Sequence, residues 1–120
     1  MDDEVPLLAA VGLALLLGAG GVLVAAVSRR AADGRLGRNS YAGVRTASTM
    51  RSDAAWIAGH AAAVPLSDSA AVVFVISGLA ALVIRQGNAF PLVLIGGSVL
   101  GTALLLVAAR KAVLAAAAAE

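Results

Sequence analysis

The sequence predicts an all-α integral membrane protein: a three-helix transmembrane bundle with a cytoplasmic Arg/Thr-rich motif loop and an interfacial helix leading into the second span. Three observations predict it. Of the 120 residues, 61% are hydrophobic and only 13% charged, too little polar surface to coat a water-soluble globule of this size. Three long apolar runs can be tested against the roughly 20 residues that cross a hydrocarbon core about 30 Å thick. The charges flank those runs, and the two flanking sides differ in sign. The formal net charge of +2 does not come from a soluble basic face with interleaved aromatics, so nucleic acid is not expected as a direct partner. With no Cys in the chain, disulfide frameworks, thiolate nucleophiles and Cys-based zinc or haem sites are excluded, and no cofactor is expected.

The elements follow in order within a single transmembrane domain, residues 1–120. The first span covers about 5–27, and Val5 to Val27 are 23 residues without a charge. It is preceded by Asp2, Asp3 and Glu4 rather than a basic n-region, which reads as a retained helix and not a cleaved signal. Residues 28–51 form the motif loop. From 52 a helix opens and runs into the second span, ending about 84. Ser69 to Ile84 supply only 16 apolar residues, or 21 counted from Val64, so this span must begin ahead of Asp68 and pass Pro65 near the membrane entrance. The third span covers about 90–110. An Ala-rich tail, 111–120, extends it as helix past the interface anchors Arg110 and Lys111.

Residues 28–55 carry six Arg (29, 30, 35, 38, 45, 51) against two Asp (33, 53). The acidic N-terminus and the short Arg85-Gln86-Gly87-Asn88 turn lie on the other side. The positive-inside rule then puts the loop and the C-terminus in the cytoplasm and the N-terminus outside, as three spans require.

In a bilayer, helices associate through close packing of small residues. Ala10, Ala14 and Gly18 recur at four-residue spacing on the first helix, Ser77 and Ala81 on the second, and Gly97 and Gly101 form a GxxxG on the third. These stripes could close the bundle or join copies of the chain into a homo-oligomer.

One island breaks the apolar composition. Residues 37–60 gather four Arg or His side chains, seven with a hydroxyl or amide, and the only Trp. Gly34, Gly37, Asn39, Ser40 and Gly43 are turn residues, so 33–50 is expected as a compact irregular loop. Ser52 followed by Asp53 is a helix N-cap with an acidic first turn. On that helix Trp56 and His60, four apart, are neighbours on one face.

Each residue carries more than one reading. Arg29, Arg30 and Arg51 suit orientation signals. Trp56 suits an interface-belt anchor, with ligand stacking as the alternative. His60, with no second ligand nearby, is a poor metal site and reads as a partly protonated interface residue. Asp68 either caps a shorter second helix together with Ser67 or is an intramembrane carboxylate within reach of Arg38, Arg45 or His60. No nucleophile and base stand at convincing spacing, so the chain is not expected to be an enzyme.

Topology needs Arg but not this particular order of residues. The run Gly37-Arg38-Asn39, Gly43-Val44-Arg45-Thr46, Thr49, Ser52-Asp53, Trp56 and His60, placed between a first and a second span, resembles the signature loop of the SdpI family. These are immunity proteins against the sporulation-delaying killing peptide of bacilli. The resemblance implies a multi-pass protein of the bacterial plasma membrane with an immunity and signal-transduction role. Its implied partners are the bilayer, a toxin peptide and a cytoplasmic repressor-like protein. The chain departs from the family pattern at Ala47, where Pro often follows the Arg-Thr pair, and at Ala61, where Arg commonly follows the His.

Physically, Arg38 and Arg45, held by the turn and by the hydroxyls of Thr46, Thr49 and Ser52, are expected to form a charge and hydrogen-bond cluster at the cytoplasmic mouth. Asn39 would bind loop backbone, and Trp56 and His60 would close the cluster from the second helix. The alternative function is that of a structural accessory subunit in a larger membrane complex, docking through the GxxxG face.

Overall fold

The computed structural model describes residues 4–119. It is all-α. Helix α1 spans Leu7–Ala32, α2 spans Asp53–Val83 and α3 spans Ala89–Ala118, and each is long and apolar enough to cross a membrane. Their outward faces are apolar as well: Leu8 is 87% exposed, Leu16 74% and Leu92 68%. In water such a surface would drive aggregation; against lipid tails it costs nothing.

Helix α2 is the axis of the molecule. Both α1 and α3 pack along it, with scarcely any contact between α1 and α3. The three small-residue stripes make this possible. Ala14 of α1 lies against Gly78 of α2, where an added Cβ would come within 3.1 Å of the Ala14 backbone. Ala10 joins Ala81 and Phe90 in a buried cluster near one end. Across the α2–α3 seam, Gly97 receives Ser77 and Gly101 receives the Phe74 ring. The GxxxG of α3 is thus occupied by α2 of the same chain. Close backbone approach replaces the hydrophobic driving force that lipid does not supply.

Helix α2 has 31 residues, or about 46 Å at the rise of an α-helix, well beyond one hydrocarbon thickness. Pro65 sits inside it without ending it. Pro65 is exposed, and its own carbonyl accepts a bond from the Ser69 hydroxyl at 2.9 Å. Asp68 is therefore mid-helix, which corrects the reading of Ser67 and Asp68 as the cap of a shorter second helix.

Charged bands mark the two ends of the spanning region. At one end Arg85 pairs with Glu4 at 2.7 Å, donates to the Val5 carbonyl at 3.1 Å and accepts the Val5 N–H at its own carbonyl at 2.7 Å. At the other, Arg29 of α1 pairs with Asp68 of α2, and Arg110 and Lys111 of α3 lie about one turn nearer the loop, since Phe74 faces Gly101 and Gly59 faces Ala112. Asp68 to Arg85 is 17 residues, about 26 Å of helix. The first turns of α2 and the last two turns of α3 consequently extend past the hydrocarbon, and the motif loop packs onto them.

Candidate functional site

The loop begins with a helix stop. Helix α1 runs through Arg29 and Arg30 to Ala32, and Gly34 at φ +79° turns the chain. The N–H of Arg35 reaches the Arg30 carbonyl at 2.9 Å and that of Gly34 the Ala31 carbonyl at 3.3 Å. This is the Schellman pattern, which satisfies carbonyls that a helix end leaves unbonded. Asn39 builds the next turn. Its Oδ1 accepts from the N–H groups of Tyr41 at 2.9 Å and Ala42 at 2.7 Å, and its Nδ2 donates to the Gly37 carbonyl at 2.8 Å.

The centre of the loop is an aromatic seat on α2. Trp56 is 1% exposed and His60 fully buried, their ring centroids 4.2 Å apart. The indole Nε1 donates to the Leu36 carbonyl at 2.8 Å. The imidazole Nε2 accepts the Val44 N–H at 2.9 Å, which places the ring proton on Nδ1, facing the Trp56 carbonyl at 2.8 Å. Gly43, at φ +100°, lies against both rings; a Cβ there would fall 2.7 Å from Trp56 and 2.9 Å from His60.

Thr49, also fully buried, donates its hydroxyl to the Val44 carbonyl at 2.5 Å and accepts the Thr46 N–H at 2.9 Å. The Thr46 hydroxyl in turn accepts the Thr49 N–H at 3.2 Å. Ser52 caps α2, its hydroxyl accepting from the Ala55 N–H at 3.0 Å. Arg38 reaches back to this corner, bonding Asp53 and the Met50 carbonyl, each at 2.9 Å.

Several sequence expectations are corrected by this geometry. Trp56 is not an interface-belt anchor, because its ring and its N–H are both used inside the loop. His60 is not a half-charged surface residue, because both ring nitrogens are bonded in a buried seat. Asp68 meets neither Arg38, Arg45 nor His60; Arg29 holds it in a two-point pair, with Nε to Oδ1 at 3.3 Å. Arg45 is not clamped by the threonines. It is exposed, and among the described residues it has no hydrogen-bond or ion-pair partner.

Sequence reasoning also missed Arg51. Its guanidinium donates to the carbonyls of Ala116 at 2.6 Å and Ala119 at 2.5 Å, capping the end of α3. Gly59 brings the same region together, since a Cβ there would meet the Ala112 carbonyl at 2.9 Å. Only the Gly in an otherwise Ala-rich helix start hinted at this contact; nothing local pointed Arg51 at a helix 65 residues away.

His60 lies two turns from Asp68 on the loop side, outside the hydrocarbon. Burial pushes its pKa below the usual 6.5, a shift that the bond to the Trp56 carbonyl opposes. A lowered folded-state pKa means that its stabilising contribution is complete above about pH 6.5 and is lost as pH falls through the folded value. Protonation would set an Nε2–H against the Val44 N–H. Trp56 fluorescence in detergent is expected to change cooperatively on acidification below that point. With one His in the chain, a His60→Gln variant should lack the transition.

Among the described residues no group of three His, Asp or Glu side chains converges as a metal site, and His60 has no free nitrogen to offer.

Three spanning helices with a structured polar loop seated on their extended ends define a multi-pass membrane protein. The chain belongs to the SdpI/YfhL protein family, whose model matches residues 35–116, from the loop through α3. No curated protein and no solved structure matches it.

Proposed function

We propose that the protein acts in immunity and signal transduction, with the motif loop on the cytoplasmic side docking an acidic segment of a partner. The role is recognition rather than catalysis. One observation carries the reading: Arg38, Asn39, Thr46, Thr49, Ser52, Trp56 and His60 are all bonded within the fold, whereas Arg45 stands exposed with no partner among the described residues, four residues after Tyr41, which is 78% exposed. Arg38, Asn39, Thr46, Thr49, Ser52, Trp56 and His60 hold the platform; Arg45 is what the platform presents. A guanidinium carried on backbone that the turns on either side already hold suits a carboxylate-bearing partner, because its planar fork pairs both carboxylate oxygens and only the side chain remains to be ordered on binding. The cytoplasmic partner would be a repressor-like protein and the outer stimulus a toxin peptide, as family membership suggests. The orientation rests on the excess of Arg in the loop, six residues against the single Arg85 on the opposite side.

The accessory-subunit alternative relied on Gly97 and Gly101 as an outward contact face, and α2 occupies that face.

Affinity purification from native membranes in mild detergent tests the proposal. Arg45→Ala should insert and fold as the parent does, keep its Trp56 signal, and lose partner recovery by about tenfold, the scale for truncating one member of a charged contact. Unchanged recovery together with unchanged protection of cells would overturn the docking role. Labelling near Thr46 from outside intact cells would overturn the orientation.

A further inference from the structure

Between α1 and α3, beneath the motif loop, lies a cavity of about 310 Å³. Because α1 and α3 each pack on α2 without closing on one another, it is a crevice flanked by two helices and not an enclosed core void. Its walls are apolar, with Leu23, Val24 and Val27 on one side and Leu105 and Ala108 on the other. Val44 of the loop forms the roof. The only polar side chains lining it are Ser28 and Ser67, joined hydroxyl to hydroxyl at 3.2 Å, next in sequence to the Arg29–Asp68 pair that marks the membrane boundary. The crevice therefore runs from hydrocarbon depth up to the level of lipid ester and phosphate groups.

The basic residues divide in a way that matches it. Of the nine Lys and Arg in the chain, Arg29, Arg35, Arg38, Arg51 and Arg85 are bound to carboxylates or carbonyls. The remaining four, Arg30, Arg45, Arg110 and Lys111, have no partner among the described residues, and all four lie at the loop end. Arg30 sits seven residues after Leu23, on nearly the same stripe of α1 and two turns nearer the loop. Arg110 stands on α3 about 100° round the helix from the crevice residue Ala109, so it faces away from the slot and leaves Arg30 as the cation on the crevice stripe. An apolar slot at acyl-chain depth, topped by an unsatisfied cation at phosphate depth, is complementary to one kind of molecule in the bilayer.

We infer that the crevice seats an anionic phospholipid of the leaflet at the loop end, one acyl chain lying between α1 and α3 and the phosphate held by Arg30. The lipid takes the place of the missing α1–α3 contact and braces the underside of the loop at Val44. This site does not depend on the docking role of Arg45: its contacts lie on the helices, and Arg45 is left intact in the test.

Native mass spectrometry tests the inference on protein reconstituted in vesicles of equal phosphatidylglycerol and phosphatidylethanolamine, then released in mild detergent. The parent chain should retain phosphatidylglycerol over phosphatidylethanolamine by about fivefold or more, the scale of one surface cation acting on an anionic headgroup. Ala109→Leu, which fills the crevice, should abolish the adduct. Arg30→Gln, confined to an exposed side chain, should keep an adduct but lose the headgroup preference, whereas Arg110→Gln, on the far side of α3, should keep both. Equal retention of the two lipids by the parent, or a preference that survives Arg30→Gln, would overturn the proposal. So would displacement of the lipid by an apolar peptide without any change on removing the Arg30 cation.

Discussion

Replacing Gly43 by Ala is expected to dismantle the motif loop while leaving the three spans in the membrane. The residue sits at φ +100°, a backbone region that costs an L-residue about 1–2 kcal/mol, and its missing Cβ is where the Trp56 and His60 rings lie, at 2.7 and 2.9 Å. Overpacking of a filled site adds about 1–3 kcal/mol. The two penalties fall on the same few atoms, because relieving the clash moves Val44 off His60 and leaves the buried Nε2 unsatisfied. Near-UV circular dichroism of Trp56 should lose its fine structure at a temperature where the parent retains it. Far-UV helicity should stay close to that of the parent, since the helices do not draw on the loop for their backbone bonds. An unaltered Trp56 spectrum would mean that the ring seat tolerates a methyl group and that the loop is held elsewhere.

Helix α3 should lose its place on α2 in the Gly101→Leu variant. Gly101 faces the Phe74 ring and Gly97, one turn away, faces Ser77. An isobutyl group at Gly101 cannot be accommodated without moving the whole of α3 outward or turning Phe74 out of a seat where it is 8% exposed. In lipid no hydrophobic force draws the helices back together, because acyl chains are as apolar as the separated faces; the seam depends on the close packing that the substitution removes. The expected destabilisation is about 1–3 kcal/mol or more, read as a fall in the denaturing detergent fraction needed for unfolding. A Leu at Gly96, where a Cβ would meet nothing within 4 Å, is the matched control and should be near neutral. If both substitutions were equally mild, the GxxxG would not be the seam. If the Gly101 variant changed only the apparent mass of the particle in detergent, the stripe would serve contacts between copies.

Much of the architecture was legible because it depends on local quantities. Apolar run length marks spans wherever the solvent is hydrocarbon, since every backbone group must bond within its own helix. Asn39 and Ser52 were legible for a related reason: a short polar side chain reaches only its own backbone neighbourhood, here the N–H groups of Tyr41, Ala42 and Ala55. Trp56 and His60 could be placed side by side from their spacing of four, but whether that face met lipid headgroups or protein could not. The answer depends on Leu36 and Gly43, brought over them by a loop whose path no periodicity encodes.

The charged residues divide along the same line. Six Arg in one loop were enough for an expected orientation, yet alike as they are in sequence they do different things in the fold. Arg38 ties the loop to the start of α2, Arg51 caps α3, Arg29 meets Asp68 and Arg45 is left over. Partners 39 and 65 residues apart meet only through the rotation of each helix about its axis, and that rotation is set by where Gly21, Gly78 and Gly101 let neighbours approach. Composition and spacing alone determined the solvent, the number of spans, the turn chemistry and the family to which the motif points. Tertiary structure alone decided which cation is bound and which is free, because a guanidinium reaches several ångströms in any direction and its sequence neighbours do not say what will be there.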